Sequence, residues 1–302
     1  MEPQSQVSRD FWMDIPLVMP VIKESRPLPY YDNPPVVETV LGVQFDRLSG
    51  FKNGHLGAFW MSLGADEWPV VEDAPPLPPQ FERFDKTARW ATGIHLQLTQ
   101  DPACRLQIKN KKGDRMIQLQ NNRLHFNWLG EAGGGYPRYE TVRAGFASTL
   151  RGFVDFSEQQ HVGCFRPNQW EVTYVNQIPQ GSIWNTPSDW GFFKPLAGFA
   201  AVENLVRGES FGGEWHFVIP DQKGRLHVQW QHGMRPAAEE SGIEVVRLTF
   251  TARGPIADSD DHQQSIFEGV DLGREIIVST FKELMSDEAN TFWGLQHADN
   301  QI

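Results

Sequence analysis

The sharpest chemical pattern in the chain is Gly208-Glu209-Ser210-Phe211-Gly212, the G-x-S-x-G spacing of a strained elbow that lifts a serine hydroxyl for nucleophilic attack. Such an elbow works only where a strand enters the serine and a helix leaves it above a parallel sheet. Here Gly213 follows, and then Trp215-His216-Phe217-Val218-Ile219, which reads as a strand. A glycine-rich turn ahead of a hairpin is therefore expected, and no catalytic residue is assigned. Asp258-Ser259-Asp260-Asp261-His262 offers hard oxygen ligands but lacks the glycine and the distal glutamate of a calcium loop. It reads as a solvated loop that caps the helix after it. The nine histidines include no H-E-x-x-H pair, and no Walker or dinucleotide glycine motif occurs. His125 and His227 fall in strands opposite the apolar positions, facing solvent or a groove. No metal site and no cofactor are expected.

The elements that must position any site are legible from periodicity. Val36 to Phe45 alternates, with Val37, Leu41, Val43 and Phe45 on one face and Glu38 and Gln44 on the other. A short helix is expected over Gly54 to Ser62, then polyproline II geometry over Ala74-Pro75-Pro76-Leu77-Pro78-Pro79, a stiff surface loop. Ile94 to Leu98, Leu106 to Lys109, Met116 to Gln120 and Leu124 to Trp128 read as an antiparallel meander, with Asn121-Asn122 as a two-residue link. Tyr139, Val142, Phe146, Leu150 and Phe153 recur at helical spacing, and a strand follows at Trp170 to Ile178. The second half repeats the outline. A hairpin surrounds Asp221-Gln222-Lys223-Gly224, a strand holds Val246, Leu248 and Phe250, and a helix carries Leu272, Ile276, Ile277, Phe281 and Leu284. Ser286 before Asp287-Glu288 is an N-cap opening a last short helix.

The composition narrows the function classes. A net charge of −11 argues against phosphate-backbone binding as the main activity, so nucleic acid is not an expected partner. Lys109, Lys111, Lys112 and Arg115 cluster at a hairpin tip and read as a solvated turn. Cys104 and Cys164 stand far apart without CxxC spacing, as reduced thiols would. No segment reaches the length of a membrane span, and residues 1–24 carry Glu2, Asp10 and Asp14 where a signal peptide would be apolar. A cytoplasmic protein without membrane association is expected. Trp60, Trp68, Trp90, Trp184 and Trp190 lie in or beside loops, where large amphipathic rings serve interfaces as well as cores.

Three segments together carry a family likeness. Asn33-Pro34-Pro35-Val36-Val37-Glu38 runs into Val43-Gln44-Phe45, Tyr136-Pro137-Arg138-Tyr139-Glu140 opens a helix, and Gly273-Arg274-Glu275-Ile276-Ile277 leads through Phe281 to Trp293-Gly294. Over residues 33–295 the chain resembles a sporadically distributed family of uncharacterised bacterial proteins. The resemblance implies a bacterial, cytoplasmic protein and carries over no catalytic residue; patchy distribution of this kind accompanies accessory and defence gene sets, by analogy only. The aromatic arm before Asn33 departs from the family pattern.

The expected fold is α+β, with two pseudo-repeated lobes (33–180 and 181–302), each an antiparallel sheet covered by a helix, behind an extended arm at 1–32. The expected function is non-enzymatic: a protein partner held through aromatic-rich loops or the groove between lobes, with homo-oligomers open. Arg138, Tyr139, Tyr174 and Asn176 are the candidate contact residues, Arg138 suiting a carboxylate or phosphate at a helix N-terminus. The competing expectation is a hydrolase or other small-molecule enzyme whose site gathers scattered residues such as His125, His227, Glu171 and the acidic loop. A pocket in which those groups converge would favour it.

Overall fold

Alternating apolar and polar residues build one large sheet with two unlike faces. The computed structural model describes residues 28–84, 104–130, 135–198, 206, 209–235, 242–256 and 261–296. In chain order the elements are β1 (Tyr30–Tyr31), β2 (Val36–Phe45), α1 (Asn53–Leu63), β3 (Val70–Ala74), β4 (Arg105–Lys109), β5 (Arg115–Gln120), β6 (Arg123–Leu129) and α2 (Tyr139–Gln159). Then come β7 (Pro167–Pro179), β8 (Gly212–Ile219), β9 (Gly224–Arg235), β10 (Ile243–Pro255), α3 (His262–Leu284), α4 (Asp287–Phe292) and β11 (Leu295–Gln296). Nine strands form a single sheet in the order β3-β4-β5-β6-β2-β7-β10-β9-β8, and every pairing among the described residues is antiparallel. The protein is α+β. The sheet is continuous across residue 180, because β7 pairs with β2 on one side and β10 on the other. Outward from this central pair, β6 and β5 flank β2 while β10 and β9 flank β7.

One face is apolar and covered by helices. Leu41, Val43, Leu124, Phe126, Trp170, Val172, Phe250, Leu226 and Val228 are buried in the main core, α2 lies on β6 and β2, and α3 lies on β7 and β10. The helices meet through Phe146 against Phe267 and through the buried Arg143, whose guanidinium holds both carboxylate oxygens of Asp271. Asp261 caps α3 by accepting from Gln264 N, and Ser286 caps α4 by accepting from Ala289 N. The capping expectations hold for both.

Close approach of helix to sheet depends on glycine. A Cβ on Gly269 would lie 2.2 Å from Trp170 Cδ1, and one on Gly145 would lie 2.4 Å from Phe126 Cζ. Alanine is intrinsically the better helix former by about 1 kcal/mol, but overpacking a filled core costs about 1–3 kcal/mol. Gly269→Ala is therefore expected to lower the urea midpoint, while Gly57→Ala in α1, with open space around it, raises it. A stabilised Gly269→Ala would contradict the packing.

The other face is polar, and a proline-rich strap crosses it. Ala74-Pro79 continues into a segment that lacks regular backbone pairing, and glutamines of the sheet satisfy it instead. Gln120 accepts from Leu77 N and donates to its carbonyl (both 2.9 Å), Gln44 accepts from Gln80 N (3.0 Å), and Gln169 donates to Gln80 O (2.7 Å). The expected surface loop is thus an ordered cover for the sheet.

Several expectations need correction. Val37 does not share the buried face of β2, because a register shift between Val36 and Glu38 turns Val36 inward and leaves Val37 half-buried. His125 does not face solvent; it is buried, with its ring against the β2 backbone at Gly42. Trp184 and Trp190 are core residues, packed edge-to-face on each other and, through Trp190, on Trp230, so those rings are not presented to a partner. Trp60 and Trp68 are partly buried, joined by the Trp60 indole donating to the Trp68 carbonyl (2.8 Å). The end of the extended arm, by contrast, packs on the body as its aromatics suggest: Tyr30 and Tyr31 pair with Gln296 and Leu295 in a two-stranded sheet. Ile94–Leu98, Trp90, Gly208 and Asp258 lie outside the described residues, and Ser210 is exposed on the approach to β8, with no helix after it.

Candidate functional site

Where β1, the bulged start of β2, the first turn of α2, the middle of β7 and the face of α3 come together, they enclose a cavity of about 320 Å³. All five tyrosines of the chain line it: Tyr30, Tyr31, Tyr136, Tyr139 and Tyr174. Arg138, Asn176, Arg274 and Glu140 supply its other polar groups, and Val36, Ile277, Val278 and Phe281 its apolar wall. The four contact residues expected from sequence, Arg138, Tyr139, Tyr174 and Asn176, are all in this lining. Tyr30, Tyr31, Tyr136 and Arg274 were missed. The available signal was scarcity, since tyrosine is the rarest aromatic here and sits in Pro29-Tyr30-Tyr31 and Tyr136-Pro137-Arg138-Tyr139.

Each polar side chain is held by the fold. The hydroxyls of Tyr136 and Tyr174 are 3.0 Å apart, so one donates to the other and the acceptor keeps its own proton to offer elsewhere. Tyr139 donates to Asp271 Oδ1 (2.6 Å), and Tyr31 to Asn290 Oδ1 (2.6 Å). Asn176 donates to the carbonyl of Leu248 across the β7–β10 pair (3.2 Å). The Arg274 guanidinium lies 4.5 Å from the Tyr139 ring centre, and that of Arg138 5.0 Å from the Tyr30 ring. Burial raises the phenols of Tyr31, Tyr136, Tyr139 and Tyr174, so they remain neutral donors.

Arg138 also carries backbone strain. Its φ of 70° with ψ of 152° is a conformation that belongs almost wholly to glycine and costs about 1–3 kcal/mol in other residues. It makes no side-chain cap for α2, and its side chain is exposed at the cavity's rim.

His125, Glu171 and His227 of the competing enzyme expectation also come together, but on the opposite face and in a network of charged groups, while Asp261 of the acidic loop caps α3 instead. Glu171 pairs with Arg253 (2.8 Å) and lies 3.4 Å from His125 Nε2. Glu82, on the strap, binds Arg225, Arg253 and His227 together. Burial by itself would raise Glu171, but Arg253 foremost outweighs it and holds the carboxyl at about 2. Burial drives the His125 imidazole down to about 4. Neither group is poised to exchange protons near neutral pH, and neither lines the cavity.

Among the described residues, no helix is long and apolar enough to cross a membrane. No protein-family model matches the sequence, and no curated protein matches it.

Proposed function

We propose that this is a non-enzymatic, cytoplasmic binding protein whose five-tyrosine cavity receives an anionic group, a carboxylate or phosphate, carried on a protein partner. The observation that carries this reading is the convergence of every tyrosine in the chain, with Arg138 and Arg274, on one cavity. The acceptor of the Tyr136–Tyr174 pair keeps a proton to donate and the guanidinium groups supply charge beside an apolar wall, a combination suited to holding an anion. A volume of about 320 Å³ suits one large side chain or a chain terminus. Strain at Arg138 supports a role that stability alone would not retain.

The test uses Arg138→Gly, which removes the guanidinium and relaxes the backbone. This variant is expected to fold with no loss of stability. Tagged wild-type protein should capture a stoichiometric partner from the organism that encodes it, and Arg138→Gly should lose it. Equal capture by both, or a retained small molecule with no protein, would contradict the reading.

A further inference from the structure

The geometry points to a Zn²⁺ site on the polar face of the sheet, built from Glu214 and His216 of β8 and His227 of β9. His216 and His227 are directly opposed in the β8–β9 ladder, and Glu214 stands two residues before His216 on the same face. Their potential ligand atoms all lie within 4.8 Å of one another. Two imidazoles and a carboxylate form a donor set that suits Zn²⁺ over the harder cations Mg²⁺ and Ca²⁺.

An independent feature lies behind His227. Glu82, whose side chain is 4% exposed, faces His227 Nε2 through Oε1 at 2.7 Å, and Arg225 and Arg253 bind the same carboxylate. Two guanidinium groups keep that carboxylate ionised, so His227 Nε2 is the donor. The ring is thereby fixed with its other nitrogen, Nδ1, aimed at the cluster. A buried carboxylate that orients a histidine in this way is the usual support of a metal-bound imidazole. No other role for this orientation is evident in the cavity, since the cluster and the cavity share no residue.

His227 Nδ1 lies 2.7 Å from His216 Nδ1, with the ring planes at 84°. Two imidazole nitrogens that close must share a proton or a cation. Nitrogens bound to tetrahedral zinc at about 2.0–2.1 Å stand about 3.3 Å apart. A slight outward rotation of His216, the more exposed of the two, meets that spacing. Glu214 Oε1 lies 3.9 Å from His227 Nδ1 and is itself exposed, so it swings in as the third ligand. Three protein donors leave a fourth position facing solvent, which water occupies.

The experiment uses the full chain without a polyhistidine tag, stripped with a chelator and titrated with ZnCl₂ against a chromophoric competitor. One equivalent should bind, with affinity at least tenfold weaker in His216→Ala and in Glu214→Gln. Both substitutions fall on the exposed edge strand and leave the core untouched. Zn²⁺ should also raise the melting temperature of the wild type and not of His216→Ala. Binding of less than one equivalent, or equal affinity in wild type and His216→Ala, would overturn the assignment.

Discussion

Replacing Glu82 with alanine is expected to lower the unfolding free energy by about 3–5 kcal/mol, the range for removing one member of a buried charge cluster. The carboxylate sits on the strap and joins it to β9 and β10 through Arg225, His227 and Arg253. Its loss leaves two guanidinium groups, exposed to only 10% and 12%, competing for the remaining acceptors. The Arg225 guanidinium also lies over the Phe84 ring, so this part of the segment should detach when these anchors fail. Glu72→Ala is the matching control. Its partner Lys109 is 3.2 Å away but the carboxylate is 54% exposed, and exposed pairs contribute about 1 kcal/mol or less. Denaturant midpoints compare the two variants. Equal losses would show that the polar face is solvated and that the strap does not seal it.

Acid should destabilise the protein in two stages, and the first belongs to His125. Its folded pKa of about 4 lies below the ordinary 6.5, so between those values the unfolded chain takes up a proton that the folded chain refuses. Stability therefore falls as pH drops from 6.5 to 4. At about 1.4 kcal/mol per pKa unit, the loss is on the order of 3 kcal/mol. Glu171 acts lower, since its contribution is present above the unfolded carboxyl value and is lost as pH falls toward about 2. Urea unfolding at pH 7 and pH 4.5 should show the first stage in wild type and a much smaller difference in His125→Asn. Equal pH dependence in the two proteins would mean that the imidazole is hydrated in the folded state. The packing around it predicts otherwise: a Cβ on Gly42 would lie 2.4 Å from His125 Cδ2, so the ring rests directly on the β2 backbone.

Much of this architecture follows from local patterns. Alternation identifies β2, β5, β6, β7, β9 and β10, and spacings of three and four identify α2 and α3, because each strand alternates an apolar with a polar face and each helix carries one apolar stripe. Strand order is not local. Nothing in the alternation of β7 says that β2 and β10 flank it, and so the two halves read as separate lobes although one sheet runs through both. Histidines and arginines opposite apolar positions suggest a wet surface; Gln44, Gln120 and Gln169 prevent that by holding a polyproline segment over them. The tryptophans mislead for a related reason. Trp184 sits in an irregular turn, yet its indole donates to the Ile178 carbonyl (2.9 Å), so a loop residue serves as a core residue.

The contact residues show the same division. Arg138 and Tyr139 are visible as a helix start, and Tyr174 and Asn176 share the buried face of β7 by alternation. Their meeting with Tyr30 and Tyr31 depends on the pairing of β1 with the distant β11, and with Arg274 on the docking of α3 against β7. The His216–His227 pair, by contrast, was within reach. A turn at Asp221–Gly224 pairs Ile219 with Gly224, and three further steps along each strand bring the two histidines face to face.

The central claim is that the tyrosine cavity is where a partner binds, and a titration of the captured partner against the wild type and three variants tests it most directly. Against wild type, Arg138→Gly and Tyr174→Phe should raise the dissociation constant at least tenfold. Val218→Ala, at an exposed position on the polar face of β8, should leave it unchanged. Unchanged affinity in both cavity variants, with weakening in Val218→Ala, would contradict the claim and move the interface to the other face of the sheet.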